Sequence, residues 1–214
     1  MKPTTTKSQH PVIGLYANLM DEVKVRIDCI DRAVHGQTGF PGPIVREFCY
    51  TQLRLLCELI ALSCLVAHGD IAATYAKRLG KEWSADKIID QLTKLHPHFY
   101  PQPMRQTPQN INGVEGWGME AVTPVPFSKD NLLELYGKCH RHLHRGNVNK
   151  LLNSETPVEI HTNFPEIINW AQKITDLLSL HVIVIDQDKL MFCMLRNAEN
   201  NNKVQAGFMG RKPL

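Results

Sequence analysis

Met20, Val23, Ile27, Ile30 and Val34 recur at three- and four-residue spacing, which predicts an amphipathic helix over Asn18–His35. Gly36 follows as a left-handed cap. "GQTGFPGP" then breaks the chain, and Pro43 stands where a first helical turn tolerates proline. From Ile44 to His68 the pattern is apolar nearly all round, as in a helix at the centre of a bundle. Asp70 is placed to cap a short helix ending at Leu79. Ser84 opens another through Leu95, with Ile88, Ile89, Leu92 and Leu95 on one face. Ser128 and Asp130 open a helix running to Arg145, where Gly146 ends or bends it. Ile167, Trp170, Ala171, Ile174, Leu177 and Leu178 mark one more amphipathic helix in "NFPEIINWAQKITDLLSL".

The end of the chain reads differently. "HVIVID", "KLMFCMLR" and "KVQAGFMG" are short β-rich runs separated by turn residues, which predicts a small meander. The stretch over 96–127 holds six of the thirteen prolines and an Asn-Gly pair at 112–113. An unstructured loop of that length is unusual in a compact domain, so an ordered excursion with a hairpin, folded over the helices, is expected. The fold class that follows is mainly α: a four- or five-helix bundle over 18–180, with the proline-rich excursion at 96–127. A disordered lead over 1–17 precedes it, and a small C-terminal β-meander over 181–214 follows.

Hydrophobic residues make up 43% of the 214 positions, enough for a real core. The net charge is only +3, and the span from Ser128 to Asn153 alone carries it, with five basic residues against two acidic. Any anion-attracting surface is therefore expected there. Six scattered cysteines without a CxxC pair fit buried thiols in a reducing cytoplasm. The polar first residues are not a signal peptide. The longest apolar run, Leu55 to Ala67, contains Glu58 and is too short to span a bilayer. A cytoplasmic protein with no membrane partner is expected.

The chemistry concentrates in "LYGKCHRHLHRGN", residues 135–147. At 100° per residue, Leu132, Leu135, Tyr136, Cys139 and Leu143 share the core side. His140 and His144 fall on one edge of that stripe and His142 on the opposite edge, while Lys138, Arg141 and Arg145 point outward. Three readings fit. Cations in a last turn complement the helix dipole. A pair of histidines at i, i+4 has the spacing of zinc ligands, although no HExxH glutamate accompanies it. Histidine beside arginine and lysine also supplies the base, the acid and the phosphate-holding cations of RNA cleavage without a metal. Elsewhere, Arg54 and Glu58 lie i, i+4 in the most apolar helix. They form an ion pair that fixes helix register, or Glu58 orients His140 or His144 across the bundle. The helix–glycine–helix segment beginning at Ile71 has a net-neutral second helix and does not suit DNA. Trp83, Trp117 and Tyr100 are expected as core anchors.

A bundle with a polar pair inside its apolar second helix, and a later helix with a basic residue, five residues and then His, resembles the HEPN superfamily. In that family the signature is an arginine followed four to six residues later by a histidine; here Lys138 and His144 have the spacing, with lysine in place of arginine. "ELIALSCLVAHGD" and "LYGKCHRHLHRGN" also look like uncharacterised bacterial or phage relatives of HEPN domains with a degenerate motif. The resemblance implies a helical, dimeric, RNA-directed protein, a metal-independent endoribonuclease in a toxin or phage-defence setting. His144 would then be base or acid and His140 its partner, with Glu58 behind them. Lys138, Arg141 and Arg145 would hold phosphate. RNA, a second copy of the chain and a cognate protein are the implied partners, and no cofactor or metal is implied. The alternative is a non-catalytic HEPN-like module that dimerises or binds a partner through the same edge.

Overall fold

A computed structural model describes residues 11–68, 82–111, 113–143 and 164–210. In chain order these form α1 (Pro11–Val34), α2 (Gly42–Ala67), α3 (Ala85–Leu95), β1 (Gln102–Ile111), β2 (Val114–Ala121), α4 (Lys129–Leu143), α5 (Pro165–Leu178), β3 (Leu180–Val184), β4 (Lys189–Asn197) and β5 (Lys203–Gly210). The predicted helices inside the described residues are present. The first starts at Pro11 rather than Asn18, inside the stretch expected as a disordered lead, and already buries Tyr16. The predicted short helix from Asp70 to Leu79 lies outside the described residues.

The fold class needs correction. Five strands form one antiparallel sheet in the order β2-β1-β3-β4-β5, so the protein is a helix-and-sheet fold and not a mainly α bundle with a small meander. The proline-rich excursion supplies two of those strands. Gln102 and Pro103 at the base of β1 pair with Val182 and His181 of β3, which joins the hairpin to the C-terminal strands. The Gln102 side-chain amide donates to the Val122 carbonyl at 3.1 Å, and the Val122 amide donates to the Pro103 carbonyl at 2.9 Å. Prolines in β1 argue against a strand by pattern alone. Pro108, however, lies where only β2 flanks β1, and a strand with an open side tolerates a missing N–H. Gly113 takes φ +83° in the Asn-Gly turn, and its amide donates to Asn110 Oδ1 at 2.8 Å.

Beyond Pro103 the hairpin continues as a two-stranded ribbon. The register places Met104, Gln106, Pro108, Trp117 and Met119 on one face. Trp117 is 71% exposed there, and Trp83, ahead of α3, is 63% exposed, so neither is the core anchor expected from sequence. Tyr100 does pack against the core.

One continuous core joins helices and sheet. The α1 helix packs on β4 and β5, α5 packs on β1, β3 and β4, and α2 touches α1, α3, α4 and α5. β3 is shielded on both faces, with His181, Val182 and Ile183 buried, while β4 alternates, burying Met191, Cys193 and Leu195. Among the described residues, α2 is the helix long and apolar enough to cross a membrane. Its apolar length is used inside the fold: Leu53, Leu56, Cys57, Ile60, Ala61 and Cys64 are fully shielded.

Two buried histidines tie helices to strand β3. The Tyr16 hydroxyl and His181 Nε2 are 2.6 Å apart, and His181 Nδ1 lies 3.0 Å from the Leu178 carbonyl. A carbonyl only accepts, so Nδ1 carries the proton and Nε2 accepts from the tyrosine. At the other end of β3, His68 Nδ1 and Nε2 lie 2.8 and 3.0 Å from the Cys64 and Val184 carbonyls, and the neutral ring donates to one of the two. Burial holds His181 at about 4, below the usual 6.5, and desolvation also lowers His68. The unfolded chain therefore binds more protons than the folded one between those two values. Stability is complete above pH 6.5 and falls as the pH drops from 6.5 towards 4, by about 3 kcal/mol at most from His181. Denaturant titrations at pH 7 and pH 4.5 should show this loss, and the pH slope should shrink in His181→Gln.

Candidate functional site

The central helix hides a polar stripe. Arg46, Tyr50, Arg54 and Glu58 recur every fourth residue of α2, a spacing that keeps them on one slowly turning line along the helix. That line faces α4, and the two helices run antiparallel, with Arg54 and Glu58 meeting Tyr136 while Tyr50 meets His142.

The inner part of the stripe is a closed node. Arg54 Nε donates to Glu58 Oε1 at 3.2 Å, and another guanidinium nitrogen donates to the Tyr136 hydroxyl at 3.2 Å. The same hydroxyl donates to Glu58 Oε1 at 3.2 Å, and the guanidinium carbon lies 4.9 Å from the tyrosine ring centre. The Arg54 and Glu58 side chains are only 23% and 17% exposed. This is the i, i+4 ion pair read from the sequence, with a tyrosine added.

The outer part opens into a cavity of about 250 Å³ lined by Arg46, Tyr50, His142, Phe164, Pro165, Glu166 and Ile167. The His142 ring lies flat on the buried Tyr50 ring, with centres 4.0 Å apart and planes 11° from parallel. Glu166, in the first turn of α5, bridges two donors. Its Oε2 accepts from the Tyr50 hydroxyl at 3.1 Å, and its Oε1 pairs with Lys138. Ser128 starts α4 in register for this: its hydroxyl oxygen accepts from the Asn131 amide at 3.2 Å.

The charges tune each group. Desolvation at the cavity wall and then the positive charge of Lys138 lower the His142 imidazole from its usual 6.5, with Arg46 and Arg141 acting in the same sense and Glu166 opposing. The ring is thus neutral at pH 7, as a proton acceptor must be. The hydrogen bond from Lys138, and then that from Tyr50, keep Glu166 ionised by lowering its carboxyl. Desolvation and the Glu166 charge raise Tyr50, so it remains a phenol donor. Burial pushes the Cys139 thiol, between Lys138 and His142 on α4, up to about 12, which removes it as a nucleophile at neutral pH.

The residues expected from sequence are only partly brought together. Lys138 lies at the cleft and is paired with Glu166. Arg141 is exposed on α4, with its guanidinium 3.8 Å from the point where Gly137 would carry a Cβ. His140 is exposed on α4, and the Glu58 bonds run to Arg54 and Tyr136. His144 and Arg145 lie outside the described residues. Among the described residues no group of three or more His, Cys, Asp and Glu could hold a metal ion. His142, Tyr50, Arg46 and Glu166 were missed. The available signal was the four-residue repeat inside α2, which the surrounding apolar pattern conceals.

No family model, curated protein or solved structure matches this chain. Its function therefore has to be argued from the cleft's own chemistry.

Tyr136→Phe removes one acceptor and one donor from a half-buried ion pair. It should cost about 1–3 kcal/mol in denaturant unfolding while leaving the helix content unchanged. The ring of His142 reports the cleft charge. Lys138→Ala removes a cation and releases Glu166, so the His142 titration midpoint should rise; Glu166→Gln removes the anion, so it should fall. Proton NMR of the imidazole across pH 5–8 reads both shifts, and movement in the opposite sense would contradict the placement.

Proposed function

We propose that the cleft between α2, α4 and α5 binds RNA and that His142 serves there as the base of a metal-independent phosphodiester cleavage. The observation that carries this reading is the His142 imidazole, held flat on Tyr50 at the mouth of a cavity lined by Arg46 and by Glu166, which pairs with Lys138. A neutral imidazole accepts the 2′-hydroxyl proton. The freed oxygen attacks the adjacent phosphorus, the bond to the 5′-oxygen breaks, and a 2′,3′-cyclic phosphate results. Arg46, Lys138 and Arg141 offset the charge that builds on the phosphate oxygens. The 5′-oxygen leaves with a proton taken from solvent water at the open mouth of the cavity, because His140 stands on the opposite edge of α4 from His142.

A second reading is a non-catalytic module that binds a partner protein or a second copy of the chain through the same edge. It is favoured by the Lys138–Glu166 pair, which engages one of the cations a phosphate would need.

Purified protein incubated with single-stranded RNA in EDTA distinguishes them. The catalytic reading expects products with 2′,3′-cyclic ends and a loss of about 100-fold or more in His142→Ala, with wild-type circular dichroism. Its rate should rise with pH to a plateau beginning below the ordinary histidine value. Equal cleavage by His142→Ala removes the role of His142. RNA binding without cleavage keeps the RNA cleft and removes catalysis, and neither binding nor cleavage leaves the module.

A further inference from the structure

The RNA reading of the cleft leaves Glu166 unexplained, because a carboxylate among phosphate-holding cations repels the ligand. Its geometry supplies a reason. The two carboxylate oxygens are divided between two donors, with Oε1 on the Lys138 ammonium and Oε2 on the Tyr50 hydroxyl at 3.1 Å. Arg46 lines the same cavity, and its charge acts on both Tyr50 and His142. A phosphodiester offers the same chemistry: two acceptor oxygens on one atom, sharing one negative charge. Glu166 is also replaceable. Its side chain is 47% exposed, on the first turn of α5, and can swing into solvent without burying its charge.

Resting on that reading, we propose that Glu166 stands in for a phosphodiester of the RNA, and that RNA enters by displacing this carboxylate from Lys138 and Tyr50. Glu166 then determines specificity. A ligand must bring contacts beyond those of a single phosphate to replace an anion already in place. An RNA strand does so through its neighbouring phosphates and a base stacked on the outer face of His142, and free phosphate has neither. The fold thus contains both the receptor for the ligand's phosphate and a tethered competitor for it.

The test measures binding of a labelled 2′-O-methyl RNA oligonucleotide, which lacks the attacking hydroxyl, to the full chain in EDTA by fluorescence anisotropy. Inorganic phosphate and a 5′-phosphorylated oligonucleotide are run as competitors. Glu166→Gln keeps the side-chain size and removes the charge. Glu166→Asp keeps the charge and shortens the reach. Both should bind the oligonucleotide more tightly than wild type, roughly five- to tenfold for Glu166→Gln, while Arg46→Ala weakens it. Weaker or unchanged binding by Glu166→Gln, with Arg46→Ala still weakening, overturns the stand-in and leaves the RNA cleft intact. No binding by wild type or by either Glu166 variant overturns both. If inorganic phosphate alone displaces the oligonucleotide from Glu166→Gln at comparable concentration, or if only the 5′-phosphorylated RNA binds, the ligand is a terminal or free phosphate and the phosphodiester assignment fails.

Discussion

The placement of the cleft depends on how α2 is registered against α4, and the Arg54–Glu58–Tyr136 node fixes that register. The two charged side chains are largely withdrawn from water and are stable there only while each keeps its partners. Sliding α4 by a residue would turn Tyr136 away and leave both charges short of hydrogen bonds. The same register carries Tyr50, one turn before Arg54, to His142. The flat contact of those rings is therefore set by an ion pair that does not line the cavity. α5 completes the arrangement because Ile167, Trp170 and Ile174 hold its other face in the core, so that its first turn presents Glu166 to Tyr50 and Lys138.

The helices were legible because each carries its own evidence. Met20, Val23 and Ile30 of α1, and Ile167, Trp170 and Ile174 of α5, lie one or two turns apart along the chain and are buried as that spacing implies. The sheet was legible only in part. Its C-terminal strands are rich in β-forming residues and were expected, but β1 and β2 read as a proline-rich excursion. What makes β1 a member of the sheet is its pairing of Gln102 and Pro103 with residues almost eighty positions later, which no local pattern encodes. Pro103 and Pro108 even point against it. A fold class built on local periodicity therefore found the helices and undercounted strand.

The site was less legible than the fold, for a related reason. A helical wheel of α4 alone ranks its histidines by their angle to the core, and it set His140 and His144 together while leaving His142 on the far edge. The wheel holds no information about α2. His142 gains its environment from Tyr50 and Arg46, roughly ninety residues earlier in the chain, and from Glu166, some two dozen residues later. Lys138 and Arg141 were recognised as cations, but the bond that defines Lys138 is to a glutamate read only as part of an amphipathic helix.

The two carboxylates on this face invite comparison, because each forms the same triplet of cation, carboxylate and tyrosine hydroxyl. Glu58 is 17% exposed and is held by arginine, whose planar guanidinium also lies over the tyrosine ring, so it has partners on several sides and no route to solvent that avoids breaking them. Glu166 is 47% exposed and is held by lysine, a flexible point charge that gives up one anion for another at little cost. Burying the first triplet makes it a fastener: removing its carboxylate leaves an arginine charge stranded. Leaving the second at the surface makes it exchangeable: removing its carboxylate leaves a lysine, a phenol and a neighbouring arginine that water can solvate and a polyanion can claim. Similar chemistry is thus divided by exposure and by the choice of cation, and on the proposed reading the cations of the second triplet stay neutralised until a ligand arrives.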